Sequence, residues 1–400
     1  MTVTVKKSTA KGVITAPPSK SVAHRALICA AFSGGSLVSN VAYSDDINAT
    51  LSCLEALGTK IERYENSVFL GNLAPENFKE NAVLLCNESG STLRFILPIC
   101  LLSDKKITLK GTKRLFERPL GIYEEICQNQ GLFFEKGEDS VTICGPLKSG
   151  EYAVRGNISS QFITGLVFAL SLLNGDSKIT LTGKIESKSY IEITLKTLKD
   201  FGVIVEFTDN VIYIKGGQQF NATNYFVEGD CSNAAFLDSF NFLGGEVEVL
   251  SLNPDTTQGD YVYKRFFEGL KQGVKQFDLS DCPDLAPIMF SMASVFGGAT
   301  FTGTKRLKIK ESDRAEAMKE ELIKFGIETK IYDNEVVIKG SNLKTPTEIL
   351  CSHNDHRIVM SLAVLSSITG GTISGAEAVN KSYPDFFKDI NKLKIELSFG

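Results

Sequence analysis

Cationic and hydroxyl-bearing side chains recur in this sequence at the start of apolar segments that have the composition of buried helices. The free N–H groups and partial positive charge of a helix N-terminus bind anions. Serine at such a position is explained by ordinary helix capping. Lysine and arginine there are disfavoured by the helix dipole, and a bound anion would remove that penalty. The pattern therefore predicts sites for phosphate or carboxylate groups. The residues are Lys20, Ser21, Arg25, Gly90, Ser91, Arg94, Ser159, Ser160, Gln161, His356 and Arg357.

A second set of polar residues lies where predicted strands run into the helices that follow them. For any one of these residues a solvated surface charge is a sufficient explanation. Their recurrence favours anion binding, since arginine grips carboxylate and phosphate through two hydrogen bonds and lysine acts as a point charge. Asp284, behind Pro283, is either an ordinary acid of a first helical turn or a functional carboxylate. The set is Lys113, Arg114, Arg118, Ser187, Lys188, Tyr190, Lys310, Glu311, Asp313, Arg314, Lys381 and Asp385.

Other chemistries find little support in the sequence. It contains no GxxxxGK[ST], GxGxxG, GxSxG or HExxH motif, which argues against nucleotide-loop, serine-hydrolase and zinc-peptidase sites. Three histidines, and nine cysteines without a CxxC pair, predict neither a metal centre nor a disulfide framework, and a reducing cytoplasm fits best. The net charge of −4 favours neither nucleic acid nor an anionic membrane as a partner. The opening MTVTVKKSTAKG lacks the apolar core of a signal peptide.

The elements that position these residues form a sixfold repeat. Apolar helical segments begin near residues 19, 89, 159, 231, 283 and 354, and each is followed by a turn and an alternating strand. A second helix and a hairpin come next, as in TKIERYENSVFLG and IETKIYDNEVVIKG. The fourth copy is short, and GVKQFDLS runs directly into DCPD, which predicts a lost hairpin strand or two. Three repeats precede the polar stretch at 221–227 and three follow it, so we expect a domain boundary there.

At these residues the sequence resembles the 5-enolpyruvylshikimate-3-phosphate synthase family over nearly its whole length. The motifs PSKSVAHR, NESGSTLR, SSQF, SKSYIEIT, CPDLAP, KESDR, NDHR and KSYPDFF carry the resemblance. It implies an α/β architecture of two domains, each with three βαβαββ repeats and buried helices. The first domain would span 15–224, and the second would combine 1–14 with 225–400. The chain would then cross between them near 14–18 and 221–227, where hinges are expected.

The resemblance also implies a reaction, the transfer of the carboxyvinyl group of phosphoenolpyruvate to shikimate 3-phosphate in aromatic amino acid biosynthesis. Shikimate 3-phosphate would be bound by Lys20, Ser21, Arg25, Ser159, Ser160, Gln161, Ser187, Tyr190, Asp284 and Lys310. Phosphoenolpyruvate would be bound by Lys20, Gly90, Arg114, Gln161, Arg314, Arg357 and Lys381. Asp284, Glu311 and Lys20 are the candidates for proton transfer, with the assignment of acid and base left open. No metal or cofactor is required, and a cytoplasmic monomer is expected.

Three departures and two rival interpretations accompany the resemblance. Ser91 replaces a frequent threonine, Phe95 a frequent proline and Arg306 a frequent asparagine. Glyphosate competes at the phosphoenolpyruvate site, which Ser91 and Phe95 would flank, and Gly90 favours sensitivity to it. A sister transferase acting on a UDP-amino sugar would need a cysteine in the GTKRLFERP stretch, which has none. A non-catalytic anion-binding protein would have little use for Asp284 and Glu311 among its cations.

Overall fold

The computed structural model describes residues 1–340 and 342–400, and the chain forms two compact units. The first unit is Pro18–Glu228, and the second combines Met1–Pro17 with Gly229–Gly400. The second crossing lies slightly later than the predicted 221–227 stretch. The reason is a short strand, Asn224–Phe226, that pairs in parallel with Ser36–Ser39 of the first unit and so keeps this segment with it.

Two strands precede the first crossing, β1 (Thr2–Val5) and β2 (Lys11–Thr15), and both belong to the second unit. The strands of the first unit are β3 (Ser36–Ser39), β4 (Ile61–Arg63), β5 (Ser67–Leu70), β6 (Ala82–Asn87), β7 (Ile107–Gly111), β8 (Phe133–Lys136), β9 (Ser140–Cys144), β10 (Glu151–Arg155), β11 (Ser177–Thr182), β12 (Val205–Thr208), β13 (Val211–Ile214) and β14 (Asn224–Phe226). Its helices are α1 (Lys20–Ala31), α2 (Asp45–Leu57), α3 (Gly90–Cys100), α4 (Lys113–Glu117), α5 (Gly121–Gln130), α6 (Ser160–Leu170) and α7 (Lys188–Asp200).

The first unit contains three four-stranded sheets of one design. Their orders are β14-β3-β5-β4, β6-β7-β9-β8 and β10-β11-β13-β12. The first two strands of each sheet are parallel, and the last two form an antiparallel hairpin. In the second and third sheets the parallel pair encloses one buried helix, α3 or α6, as a parallel crossover requires. The helix pair of each predicted repeat is therefore confirmed in this unit.

The second unit repeats the design with one exception. Its further strands are β15 (Glu246–Leu250), β16 (Gln276–Asp278), β17 (Ala299–Thr302), β18 (Thr329–Ile331), β19 (Glu335–Ile338), β20 (Leu350–Cys351), β21 (Gly371–Ser374) and β22 (Leu397–Phe399). Its helices are α8 (Cys231–Phe242), α9 (Tyr263–Lys271), α10 (Ala286–Val295), α11 (Arg314–Leu322), α12 (His356–Thr369) and α13 (Phe386–Lys392). The fourth repeat forms only the parallel pair β15-β2, because its chain passes from α9 straight into β16.

The N-terminal strand completes the last repeat. The sheet order is β20-β21-β1-β22, so β1 occupies the place that a hairpin strand fills in the other repeats. Its antiparallel register pairs Thr2 with Ser374 and Val3 with Phe399. The remaining sheet has the order β16-β17-β19-β18.

The first helices of the repeats form the cores. In α3, α6 and α12 nearly every residue is buried, including several hydroxyls and the cations at their beginnings. In α3 and α6 the residues that stay part-exposed, Ser91 and Gln161, lie in the first turn, where orphan N–H groups remain. Across the described residues, no helix has the length and apolar content that a membrane span needs.

Candidate active site

The beginning of α1 carries a cation that is paired with an acid. Ser19 caps the helix by accepting a hydrogen bond from the Val22 backbone N–H at 3.4 Å. The Lys20 Nζ donates to Asp46 Oδ2 at 2.6 Å, and Asp46 lies in the first turn of α2. This ion pair holds the ends of α1 and α2 together, and it leaves Lys20 near the surface of the first unit.

Arg25, one turn further along α1, is a buried cation held by neutral oxygens. Its Nε donates to Thr194 Oγ1 at 2.8 Å, and its two Nη atoms donate to the carbonyls of Ser21 and Tyr190 at 2.7 and 2.9 Å. The guanidinium also lies 5.0 Å from the centre of the Phe95 ring. No carboxylate among the described residues forms an ion pair with it, and burial lowers its pKa to about 10. A charge held in this way is well suited to an anionic ligand.

The beginnings of α3 and α6 are joined through Gln161. Its Nε2 donates to Ser91 Oγ at 3.0 Å, and its Oε1 accepts from Arg94 Nη1 at 3.0 Å. Ser159 caps α6 by accepting from the Gln161 backbone N–H at 3.3 Å. The two side-chain hydrogen bonds of Gln161 fix the two helix ends side by side, as a site for one anion with several oxygens requires.

Gly90 lies against Arg118, and this contact was not predicted. A Cβ atom added at Gly90 would be 2.4 Å from Arg118 Nη1, and Arg118 is only 7% exposed. Arg114, the predicted phosphoenolpyruvate ligand, has a side chain that is 43% exposed and pairs with Glu117 at 3.2 Å. The sequence signal was Pro119, because a residue before proline avoids the helical region. Arg118 accordingly ends α4 in an extended conformation, at φ −71° and ψ 145°.

The beginning of α7 adds buried hydroxyls to the first unit. Ser187 precedes the helix with φ 57°, in the left-handed region that non-glycine residues rarely adopt. Ser187 and Ser160 are both buried. Strained backbone of this kind is typical of functional sites. Tyr190 follows in the first turn, and its carbonyl holds Arg25 as described above.

In the second unit Asp284 accepts hydrogen bonds from three cations. It lies in the turn Pro283–Leu285 that leads into α10, and Lys310 Nζ, Arg314 Nη1 and Arg357 Nη2 contact it at 3.1, 2.8 and 2.9 Å. Burial alone would raise the pKa of the carboxyl, but the three positive charges outweigh burial and hold the pKa well below its usual range. Asp284 is therefore an ionised carboxylate.

Arg314 is the centre of this network. Its side chain is 1% exposed, and it donates through Nη2 to Glu311 Oε2 and through Nε to Asp355 Oδ2, both at 2.9 Å. Despite burial, these two carboxylates and Asp284 raise the pKa of Arg314 well above its usual value. Asp355 is fully buried and caps α12 by accepting from the Arg357 backbone N–H. One arginine therefore sets the positions of three acids.

Two further predicted cations lie at the edge of this network. Arg357 donates to Ser232 Oγ at 2.9 Å as well as to Asp284. Lys381 ends the turn Ala376–Lys381, and its Nζ donates to the Asn354 carbonyl at 2.6 Å. Burial lowers the pKa of Lys310, which makes it the least firmly charged member of the group.

Most of the predicted residues fall into two groups, one in each unit. The first group is Lys20, Ser21, Arg25, Gly90, Ser159, Ser160, Gln161, Ser187 and Tyr190. The second group is Asp284, Lys310, Glu311, Arg314, Arg357 and Lys381. One cluster elsewhere has the composition of a metal site, Glu320, Glu321 and His353. Both oxygens of Glu321 already accept from Lys324 Nζ at 2.9 Å, so a cation would have to displace that contact.

Comparison with known proteins places this arrangement in context. The family model described as EPSP synthase (3-phosphoshikimate 1-carboxyvinyltransferase) matches residues 5–390. A 3-phosphoshikimate 1-carboxyvinyltransferase of Clostridium kluyveri is 40% identical over 99% of this chain and 98% of its own length. Another, from Clostridioides difficile, is 41% identical over 96% of this chain and 95% of its own. A solved EPSP synthase structure from Acinetobacter baumannii aligns over 100% of both chains with a TM-score of 0.79 at 24% identity, which confirms the fold class.

Proposed function

The chain belongs to the EPSP synthase family, and from that premise we propose that it transfers the carboxyvinyl group of phosphoenolpyruvate to the 5-hydroxyl of shikimate 3-phosphate, releasing phosphate. The observation that carries this proposal in the molecule itself is the carboxylate of Asp284, held among Lys310, Arg314 and Arg357. Anion binding alone needs only the cations. An acid placed among them indicates proton transfer as well.

The reaction needs one proton removed and one delivered. The attacking hydroxyl loses its proton as its oxygen bonds to the central carbon of phosphoenolpyruvate, and the methylene gains a proton to become a methyl group. In the second step phosphate leaves and the methyl group gives up a proton. Asp284 is ionised and suits the role of acceptor, which leaves Glu311 or Lys20 as the donor.

The network around Asp284 supports a substrate-dependent change in its basicity. An acid with a strongly lowered pKa is a weak base. The phosphate and carboxylate groups of the substrates would attract Lys310, Arg314 and Arg357 away from Asp284, and the proton affinity of Asp284 would rise as they leave. The general base would then become effective only when the anions are bound.

We assign the anion-binding roles by contact and charge. Arg25 and the serines of α6 and α7 are suited to shikimate 3-phosphate, because they offer a cation without a carboxylate partner and several hydroxyls. Phosphoenolpyruvate would take Arg118 beside Gly90, together with Arg314, Arg357 and Lys381. Arg118 replaces Arg114 in this proposal, since Arg114 is exposed and paired with Glu117.

We further propose that the crossings at Pro17–Pro18 and Glu228–Gly229 act as hinges, since each unit carries part of the machinery for one reaction. Small-angle scattering tests this with shikimate 3-phosphate and a phosphoenolpyruvate mimic, where closure reduces the radius of gyration. An unchanged radius at saturation refutes the hinge but not the reaction. We also propose a cytoplasmic location, which the nine cysteines without a CxxC pair support, and a monomeric state.

The deciding experiment for the reaction is an assay of phosphate release. Incubation with both substrates should release phosphate, and omission of either should abolish the release. A parallel reaction with a UDP-amino sugar in place of shikimate 3-phosphate tests the sister transferase. Binding of both substrates without release would instead support the non-catalytic alternative.

A further inference from the structure

The turn that leads into α12 is strained. His353 and Asn354 are consecutive and have φ angles of 48° and 54°, in the left-handed region that non-glycine residues adopt at a cost. Groups assigned to the candidate site contact this turn or follow it in the sequence. The Asn354 carbonyl accepts the hydrogen bond from Lys381, and Asp355 and Arg357 follow directly. Relaxation of this turn would therefore shift several anion-binding groups at once.

One buried carboxylate holds the turn in place. Glu321, in the last turn of α11, is 1% exposed and accepts from the Cys351 backbone N–H and from His353 Nε2, both at 2.9 Å. A carboxylate only accepts, so His353 donates through Nε2 in this contact. Lys324 Nζ contacts both oxygens of Glu321 and balances its charge, and Glu320 lies 3.8 Å from His353 Nε2.

Helix α11 also contacts the turn through a second residue, Arg314. Arg314 is the first residue of α11, and its Nε donates to Asp355 Oδ2 at 2.9 Å. Glu321 is seven residues later, about 10 Å along the helix axis at 1.5 Å per residue. Helix α11 therefore holds the strained segment at both ends, at Cys351 and His353 through Glu321 and at Asp355 through Arg314. A rigid helix is well suited to keep such a segment from relaxing.

We propose that Glu321 and His353 are positioning residues for phosphoenolpyruvate binding. They touch none of the groups assigned to the substrates, and they act through the turn that places the Lys381 partner and Arg357. The proposal rests on the proposed function, because its readout is the affinity for that substrate. It gives the Glu320, Glu321 and His353 cluster a purpose that needs no metal ion.

The test compares His353→Gln with His353→Asn in the full-length protein. Glutamine carries an amide N–H donor long enough to approach Glu321, whereas asparagine is one methylene shorter and favours left-handed backbone, so it removes the contact without adding strain. We expect His353→Asn to raise the KM for phosphoenolpyruvate about tenfold, as loss of one charge-assisted hydrogen bond predicts. The KM for shikimate 3-phosphate should stay unchanged, and His353→Gln should recover most of the affinity.

Further variants separate positioning from a general weakening of the second unit and from metal binding. Lys339→Met removes an exposed ion pair with Glu328 in the same unit and should leave both KM values unchanged. An equal rise in both KM values, or no rise in either, overturns the proposal, as does loss of wild-type activity on treatment with a chelator. Glu321→Gln should reproduce the change if His353→Asn proves unstable. The wild-type assay tests only the proposed carboxyvinyl transfer. If the wild type releases phosphate but the variants do not behave as expected, the positioning role of Glu321 and His353 is wrong and the proposed reaction is not.

Discussion

In the first unit Arg25 is held by hydroxyl and carbonyl oxygens, whereas in the second unit Arg314 is held by three carboxylates. Both arginines are buried, Arg25 in the second turn of α1 and Arg314 at the beginning of α11. A cation on neutral oxygens keeps its charge for a ligand, but its burial is poorly compensated. A cation on carboxylates is already neutralised, so an arriving anion must compete with internal acids. We therefore propose that the first unit contributes mainly anion binding, whereas the second, through Asp284, also accepts a proton.

The sharpest test of this difference is to remove each arginine in turn. Arg314→Gln leaves three carboxylates without their shared partner, and loss of one member of a buried ion network costs about 3–5 kcal/mol of unfolding free energy. Arg25→Gln should cost less than about 1.5 kcal/mol, because the Thr164 and Thr194 hydroxyls already pair with each other at 2.8 Å. Urea unfolding gives the free energies, and hydrogen exchange in α1 and α12 locates them. Equal losses would contradict the comparison.

Asp284→Asn tests the proton-transfer half of the comparison. It keeps the shape of the side chain and removes the acceptor, so kcat should fall by about 10²-fold or more. The KM for either substrate should change far less. Asp333→Asn is the matched control, since Asp333 is an exposed acid of the same unit that pairs with Lys305. Turnover close to wild type in Asp284→Asn would remove this residue from the mechanism.

Gly90→Ala tests the anion-binding role of the first unit without removing a charged side chain. The new Cβ would lie 2.4 Å from Arg118 Nη1, so the guanidinium must move away from the helix end. We expect the KM for phosphoenolpyruvate to rise about tenfold, which corresponds to roughly 1.4 kcal/mol. Gly121→Ala is the control, because nothing lies within 4 Å of a Cβ at that position. An unchanged KM in Gly90→Ala would show that Arg118 does not serve this substrate.

The smallest expected effect is a pH dependence that belongs to the first unit. Burial, followed by the charges of Lys20 and Arg25, holds the pKa of His24 well below its usual value. Below about pH 6.5 the unfolded chain protonates this histidine while the folded chain does not, so stability falls as the pH falls. The expected loss is about 1 kcal/mol between about pH 6.5 and 5.5.

The control for this prediction is His24→Asn, which should flatten the pH dependence in that window. Asp284 acts in the same direction but at a much lower pH. Its lowered pKa contributes stability that is complete above the unfolded value of about 3.9 and is lost only as the pH falls through the folded value. Asp284 should therefore add no pH dependence between about 5.5 and 6.5. An equal slope in wild type and variant would contradict the role of His24.

The sequence predicted the first helices of all six repeats because long apolar runs with capping residues identify buried helices without any tertiary information. They are confirmed, with starts at Lys20, Gly90, Ser160, Cys231, Ala286 and His356. Closing glycines were also predictable, and Gly131 ends α5 with φ 69°. Strand β14 was missed, because its three residues pair with a strand almost 190 positions earlier.

The sequence predicted which residues belong to the candidate site, but not which of them contact one another. Motifs located Asp284, Lys310 and Arg357, but their spacing gives no sign that all three meet, since Arg357 is 73 residues from Asp284. The resemblance implied Arg114 as a phosphoenolpyruvate ligand, whereas Arg118, a cation of the same short segment, is the one that lies against Gly90. The difference between them depends on where the helix ends, and a one-turn error in that end exchanges an exposed side chain for a buried one.

Strands β1 and β2 are synthesised before the first unit, yet their partners β15, β21 and β22 come from the later half of the chain. The first unit is continuous in sequence and can fold while translation proceeds, whereas β1 and β2 must wait until the second unit is synthesised. During that interval two alternating strands lack their partners. The short length of β1 and β2, and the lysines in and beside them, limit the risk that these strands pair with a wrong partner. Deletion of Met1–Pro17 should therefore destabilise the second unit, although the helices of that unit lie farthest from these residues in the sequence.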